Sequence, residues 1–294
     1  MITPIDYGTV PQSMKLIENQ EFGGERPLFA LTDTVMKNVT IHAGESSLKH
    51  TKNVRAEGCR FEGKYPFWHA DHFEIDHCLF TPGSRAALWY SKHLLMTDTV
   101  VDAPKMFRDM EDVRLRRVTM TDAAETFWNC RGVDLRDVSI AKGDYLFMHS
   151  DDIRIANYRH QGNYAFQYGR NITITDAKLD AKDAFWNSEN VTVIDSEING
   201  EFMAWHSKNL TLINCKISGT QPFCYCENLV LENCTMAEDC DLAFEYSTVT
   251  ADVKGSVTSI KNPTSGVIRC DAVGAVIRDE HIAPGADCRI ETRA

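Results

Sequence analysis

Asp183 and Glu201 are the two carboxylates whose spacing best suits chemistry. They stand 18 residues apart in a chain where a short apolar phrase returns every 19 to 21 residues. A coil of that length lays them on neighbouring turns, about 5 to 6 Å apart. Such a separation fits a retaining glycosidase pair, in which crowding raises one pKa so that this group serves as the acid. Glu125 and Lys105 are a second acid–base candidate, 20 residues apart, and Lys105 and Lys182 carry charge able to neutralise a sugar carboxylate. Beside them one repeat position reads Trp68, Trp89, Arg108, Trp128, Met148, Gln167, Trp186, Trp205, Cys224 and Glu245. If this column faces outward, Trp128, Trp186 and Trp205 offer flat indoles for stacking against sugar rings, with Arg108, Lys182, Tyr164 and Glu245 as polar substrate contacts. A plainer account competes: Lys182 with Glu201, and Lys105 with Glu125, share columns on adjacent turns, so two cross-strand ion pairs would explain all four.

These addresses exist only because the chain repeats. Taking the first apolar residue of each phrase as an anchor gives Val35, Val54, Phe73, Leu94, Val113, Val133, Ile153, Ile172, Val191, Leu210, Leu229 and Val249. Each anchor opens an apolar–polar–apolar run, the period-two signature of a short strand, and no stretch of the repeat holds a 3.6 period. Six residues upstream lies a nearly constant aromatic or apolar position, from Phe29 through Phe127 to Phe223, which predicts a stacked interior ladder. Asn or Asp directly precedes most anchors, as at Asn53, Asp152, Asn171 and Asn190, and these residues tolerate the left-handed turn that a bend requires. The pattern predicts an all-β fold, a single-stranded right-handed parallel β-helix of about twelve coils. Leucine-rich, hexapeptide and pentapeptide subperiods do not fit it. One domain over 1–294 is expected, with an N-terminal cap at 1–28, regular coils at 29–253, and irregular coils and a cap at 254–294.

With its rungs of Phe, Asn and β-branched residues, the chain resembles the pectin-lyase-like superfamily of right-handed β-helices. Its phrases Lys182-Asp183-Ala184-Phe185-Trp186-Asn187, Gly219-Thr220-Gln221-Pro222-Phe223 and Asp241-Leu242-Ala243-Phe244-Glu245-Tyr246 are similar to those of an uncharacterised bacterial domain-of-unknown-function family with that fold. The resemblance implies the fold and assigns no catalytic residue. Of the polygalacturonase motifs only Asp151-Asp152 is present, and Asp152 occupies the turn position.

A formal charge of -11 weighs against a nucleic-acid partner, because phosphate backbones reward basic surfaces. Met1 to Glu21 lacks the basic start, apolar run and cleavage site of a secretory leader, and no apolar run is long enough to span a membrane, so a cytoplasmic protein with free thiols is expected. Cys59 with Cys78, and Cys215 with Cys234, occupy shared columns and are expected to stack as small hydrophobes. No metal and no cofactor are expected: His69, His149 and His206 share a column but lie three or more coils apart, and no Cys-x-x-Cys is present. That column, which also holds Tyr90, Tyr168 and Tyr225, is expected at a bend with its polar groups hydrogen-bonded. The functional expectation is recognition of an oligosaccharide along the Trp-lined face and, should the carboxylates act, a lyase-like or glycoside-hydrolase-like reaction. The alternative is a non-catalytic scaffold or interaction protein, and assembly through an end or the Trp face is left open.

Overall fold

The computed structural model describes residues 13–293. One coil illustrates how the sequence makes the turn. In the strand Glu111–Arg116, alternation sends Val113 and Leu115 inward. Arg117, with φ 53°, turns the chain into the short strand Thr119–Asp122, whose Met120 is again buried. An arc follows in which every second residue is left-handed: Glu125 at φ 56°, Phe127 at 60° and Asn129 at 55°. This alternation aims successive N–H groups at opposite neighbours. Glu125 donates forward to the Asp144 carbonyl at 2.8 Å, Phe127 backward to Met106 at 3.1 Å, and Asn129 forward to Met148 at 3.0 Å. These arc N–H groups need no water, so the bend stacks as firmly as the strands.

Strands stack in parallel and in register, Val113 lying between Leu94 and Val133. The result is a right-handed parallel β-helix of about 15 turns. The twelve anchors expected from the sequence lie inside it, and further rungs extend it: Lys15–Glu18 before them, Ser265–Cys270 and Arg289–Thr292 after. Within the span 1–28 expected to be a cap, Lys15–Glu18 and Glu21–Glu25 form strands, and residues 1–12 lie outside the described residues. Beyond Val249 the repeat shortens, and Ser256–Lys261 pairs with Ala272–Ile277 as a separate two-stranded parallel sheet.

The interior ladder is continuous. Phe107, Phe127, Phe147, Phe166 and Phe185 are fully buried and stack at 4.6, 4.7, 4.9 and 5.5 Å between successive rings. The first anchor needs correction by one residue. Thr34, not Val35, pairs with Val54, and Leu28 rather than Phe29 packs on the core. Thr34 tolerates burial because its hydroxyl donates to the Thr32 carbonyl at 2.8 Å, whereas Phe29 is 49% exposed and meets His50 edge-on.

The turn amides form the expected ladder. Asn171 donates to Asp152 at 2.9 Å, Asn209 to Asn190 at 2.9 Å and Asn228 to Asn209 at 3.1 Å, all from left-handed residues. Asn38 belongs to a second ladder on the far side of the strand, donating to Asn19 at 3.3 Å. The cysteines of both shared columns are free and buried. No described helix is long and apolar enough to cross a membrane.

Candidate functional site

The outward column next to the Phe ladder divides into two unlike halves. In the first, Trp68 stacks on Trp89 at 5.3 Å, and the Arg108 guanidinium sits 4.4 Å from the Trp89 ring and 4.3 Å from that of Trp128. Each indole N–H in this half donates to a carbonyl of the next coil at 2.6 Å: Trp68 to Ala86, Trp89 to Lys105, Trp128 to Tyr145. Trp68 and Trp89 thus face each other along the helix axis, the Arg108 guanidinium covers one face each of Trp89 and Trp128, and all three indoles are half-buried. The coil spacing of about 4.8 Å brings neighbouring side chains of this outward column into stacking range. Lys105 and Glu125 form an ion pair at 3.2 Å, which Arg108 Nη2 approaches at 3.7 Å. The Nε and Nη2 atoms of Arg108 are buried and make no hydrogen bond. Tyr164 stacks on Tyr145 at 4.8 Å, and Glu245 receives Lys261 at 2.8 Å.

After the interruption at Met148 and the buried Gln167, the column resumes differently. Trp186 and Trp205 stack loosely, 6.3 Å apart at 27°, and neither donates its N–H to a described residue. The Trp205 Nε1 atom is buried as well as unpartnered. Beside them Asp183 donates its backbone N–H to the Glu201 carbonyl at 2.9 Å, which sets the two acidic residues on adjacent coils. Asp183 is only 4% exposed and its carboxylate accepts no hydrogen bond from a described residue. Burial pushes its pKa up, Lys182 draws it down, and Glu201 pushes it up again. Glu201 is exposed, with Lys182 at 3.7 Å, and the same ammonium lies 5.2 Å over Phe202.

The column of His69 and Tyr90 stands on left-handed residues at the bend as expected and is mostly exposed; Asn129 donates to Asp109 at 3.0 Å, while the rings of the column are held by stacking. His69 stacks on Tyr90 at 5.1 Å and His206 on Tyr225 at 4.7 Å. Two features were not anticipated from the sequence. A groove of about 760 Å³ runs along the second-strand face past Lys178, Asp180, Glu197 and Asn199; its lining reads in sequence as ordinary outward positions. The structure also gathers Asp71, His72 and His93, whose ligating atoms all lie within 4.8 Å of one another. Their signal was present: His72 and His93 fill the turn position that Asn or Asp holds in other coils.

Comparison with curated proteins finds no match. Among solved structures, the chain is similar to the plasmid-mediated fluoroquinolone resistance protein QnrB1, at 9% identity over 68% of this chain and 92% of that one, with a TM-score of 0.33. It is also similar to the Azotobacter vinelandii mannuronan C-5 epimerase AlgE6 A-module, at 10% identity over 95% and 81%, TM-score 0.29. A third likeness is to the catalytic domain of a GH87 alpha-1,3-glucanase in complex with tetrasaccharides, at 11% identity over 96% and 61%, TM-score 0.27. None of these likenesses bears on the chemistry of this chain. The model of the family described as protein of unknown function (DUF3737) matches residues 15–291, and the chain belongs to that family.

Proposed function

We propose that this protein binds an oligosaccharide on the half of the strip formed by Asp183, Trp186, Glu201 and Trp205, with Lys182 and Tyr164 at its margin. The observation that carries this reading is the unmet polar need of the Trp205 indole N–H among loosely stacked aromatics. Trp205 Nε1 is a buried donor without an acceptor, while the carboxylate of the largely enclosed Asp183 receives no hydrogen bond from a described residue and keeps its oxygens open to solvent. An unpaired buried polar group costs about 1–3 kcal/mol, and a sugar hydroxyl both donates and accepts. In the same reading Asp183, held protonated to higher pH by its burial, is the acid of a glycosidic cleavage and Glu201 is its carboxylate partner.

Titration calorimetry against a panel of neutral and uronate oligosaccharides tests binding. At least one ligand is expected to bind the wild type, and Trp205→Ala and Asp183→Asn are each expected to weaken it about tenfold or more. A panel with no binder, or variants that bind as well as the wild type, would overturn the proposal. Turnover is a separate readout: Glu201→Gln should keep binding and abolish product release.

The first half of the column supports a different role. With ring faces stacked and N–H groups capped, Trp68, Trp89 and Trp128 act as an external structural ladder clamped by Arg108. Trp89→Ala is accordingly expected to lower thermal stability and leave sugar affinity unchanged.

A further inference from the structure

The turn ladder that runs down one edge of the strands is made of amides and carboxylates in coil after coil. Asn53 donates to Asp33 at 2.7 Å and Asn171 to Asp152 at 2.9 Å. An Asn in such a row is self-sufficient, since its N–H bonds one neighbour and its oxygen receives from the other. Two consecutive rungs break the rule. His72 and His93 keep the left-handed backbone of the row, at φ 51° and 56°, but replace the amide with an imidazole.

The two rings lie 4.1 Å apart at 31°, and both aim Nδ1 at a single atom, Oδ1 of Asp71, at 2.7 and 2.8 Å. The strand pairing fixes this convergence. Asp71 opens the strand Asp71–Asp76 and is registered opposite Lys92, the residue before His93. Neither Nε2 has a partner among the described residues. The side chains of His72, His93 and Asp71 are 61%, 38% and 26% exposed, so water can reach them. Two imidazoles and a carboxylate on one solvent-facing spot are an N₂O donor set. Such a set suits borderline divalent ions, with metal–ligand bonds of about 2.0–2.2 Å, rather than calcium or magnesium, which favour all-oxygen shells.

A second grouping at the other end of the same strand, Asp76, His77 and Asp98, is a weaker candidate. There Asp98 already holds both Arg117 nitrogens at 2.7 Å, and Asp76 receives the Thr97 hydroxyl. At Asp71 the nearby cation is Lys92, which acts on the carboxylate through space and forms no hydrogen bond with it.

We propose that Asp71, His72 and His93 form a binding site for a divalent transition-metal ion of the zinc, nickel and copper class, with water completing the shell. The site is separate from the strip of Trp186 and Trp205 and does not depend on the sugar-binding reading.

Zn²⁺ alone is the probe, titrated calorimetrically into the full chain after chelator treatment, with thermal unfolding in parallel. The test variants are His72→Asn, His93→Asn and the double substitution, which install the residue that the ladder carries elsewhere and so should preserve the coil. The expected result is one equivalent of Zn²⁺ on the wild type, with affinity reduced at least about tenfold by each single substitution. The double variant should lose both stoichiometric binding and the Zn²⁺-dependent rise in melting temperature. The ten cysteines remain in every variant, so equal Zn²⁺ affinity in the wild type and a folded double variant would assign binding elsewhere and overturn the proposal. Absence of stoichiometric binding to the wild type would overturn it equally.

Discussion

Burial acts with opposite sign on an acid and a base, and this chain carries one clear case of each. His160 is enclosed beneath the second-strand groove, its Nδ1 accepting from the Tyr158 hydroxyl at 3.0 Å and its Nε2–H donating to the Gly162 carbonyl at 2.8 Å. Burial draws its pKa from 6.5 down to about 4. In the unfolded chain the imidazole protonates near pH 6.5, but in the folded chain it resists. Its stabilising contribution is therefore complete above pH 6.5 and disappears as the pH falls toward 4, by about 3 kcal/mol at most. Denaturant titrations at pH 7, 5.5 and 4.5 should show a shallower loss of stability in His160→Gln than in the wild type, and parallel slopes would refute the assignment. Asp183, raised by burial, responds the other way: its protonated form is favoured by folding, so its contribution is fully present below pH 3.8 and is lost as the pH rises through the higher folded-state value.

Between the second strand and the arc, adjacent coils approach so closely that a side chain has no room. Gly219 has φ 107°, and a Cβ placed there would lie 2.4 Å from the Gly200 carbonyl oxygen. Gly219→Ala must therefore push neighbouring rungs apart as well as strain a dihedral, and is expected to cost about 2 kcal/mol or more in thermal or denaturant unfolding. Gly255 supplies the control. At φ 82° it has nothing within 4 Å of the same virtual Cβ, so Gly255→Ala bears only the left-handed penalty of about 1–2 kcal/mol. Equal losses in the two variants would show that close approach is not the cause. Sequence inspection alone could not separate these two glycines, because the difference lies in what the preceding coil places beside each one.

A stack in which every turn touches only its neighbours distributes stability unevenly along its length. The longest strands, Arg131–Ile140, Asp151–Gln161 and Arg170–Asp180, lie together in the middle. Lys15–Glu18 and Arg289–Thr292 are short rungs near the two ends, the latter followed by Arg293, which bonds the Val253 carbonyl at 3.0 Å and Asp271 at 2.6 Å. Amide hydrogen exchange should be slowest in the three long strands and fall off toward both ends, more gradually on the side held by Arg293. Uniform protection from end to end would mean that the helix opens as one unit.

The periodic sequence determined the coil, because side-chain alternation and turn-forming Asn and Asp are local properties that repeat wherever the phrase repeats. It assigned the Phe ladder, the amide row, the stacked thiols and the pairing of Lys182 with Glu201 and Lys105 with Glu125 to the columns the structure gives them. Near the ends its resolution failed by a residue, since nothing local distinguishes Thr34 from Val35 until strand pairing selects one. Tertiary structure alone decided how rings in a shared column orient. Trp68 stacks on Trp89 and the Arg108 guanidinium lies over both Trp89 and Trp128, whereas Trp205 is left with a buried, unpaired N–H. It likewise brought His72 and His93 onto one oxygen of Asp71. The physical reason is common to both: a column position fixes which residues are neighbours, but ring orientation and hydrogen-bond partners follow from the few ångströms between coils, which no single coil encodes.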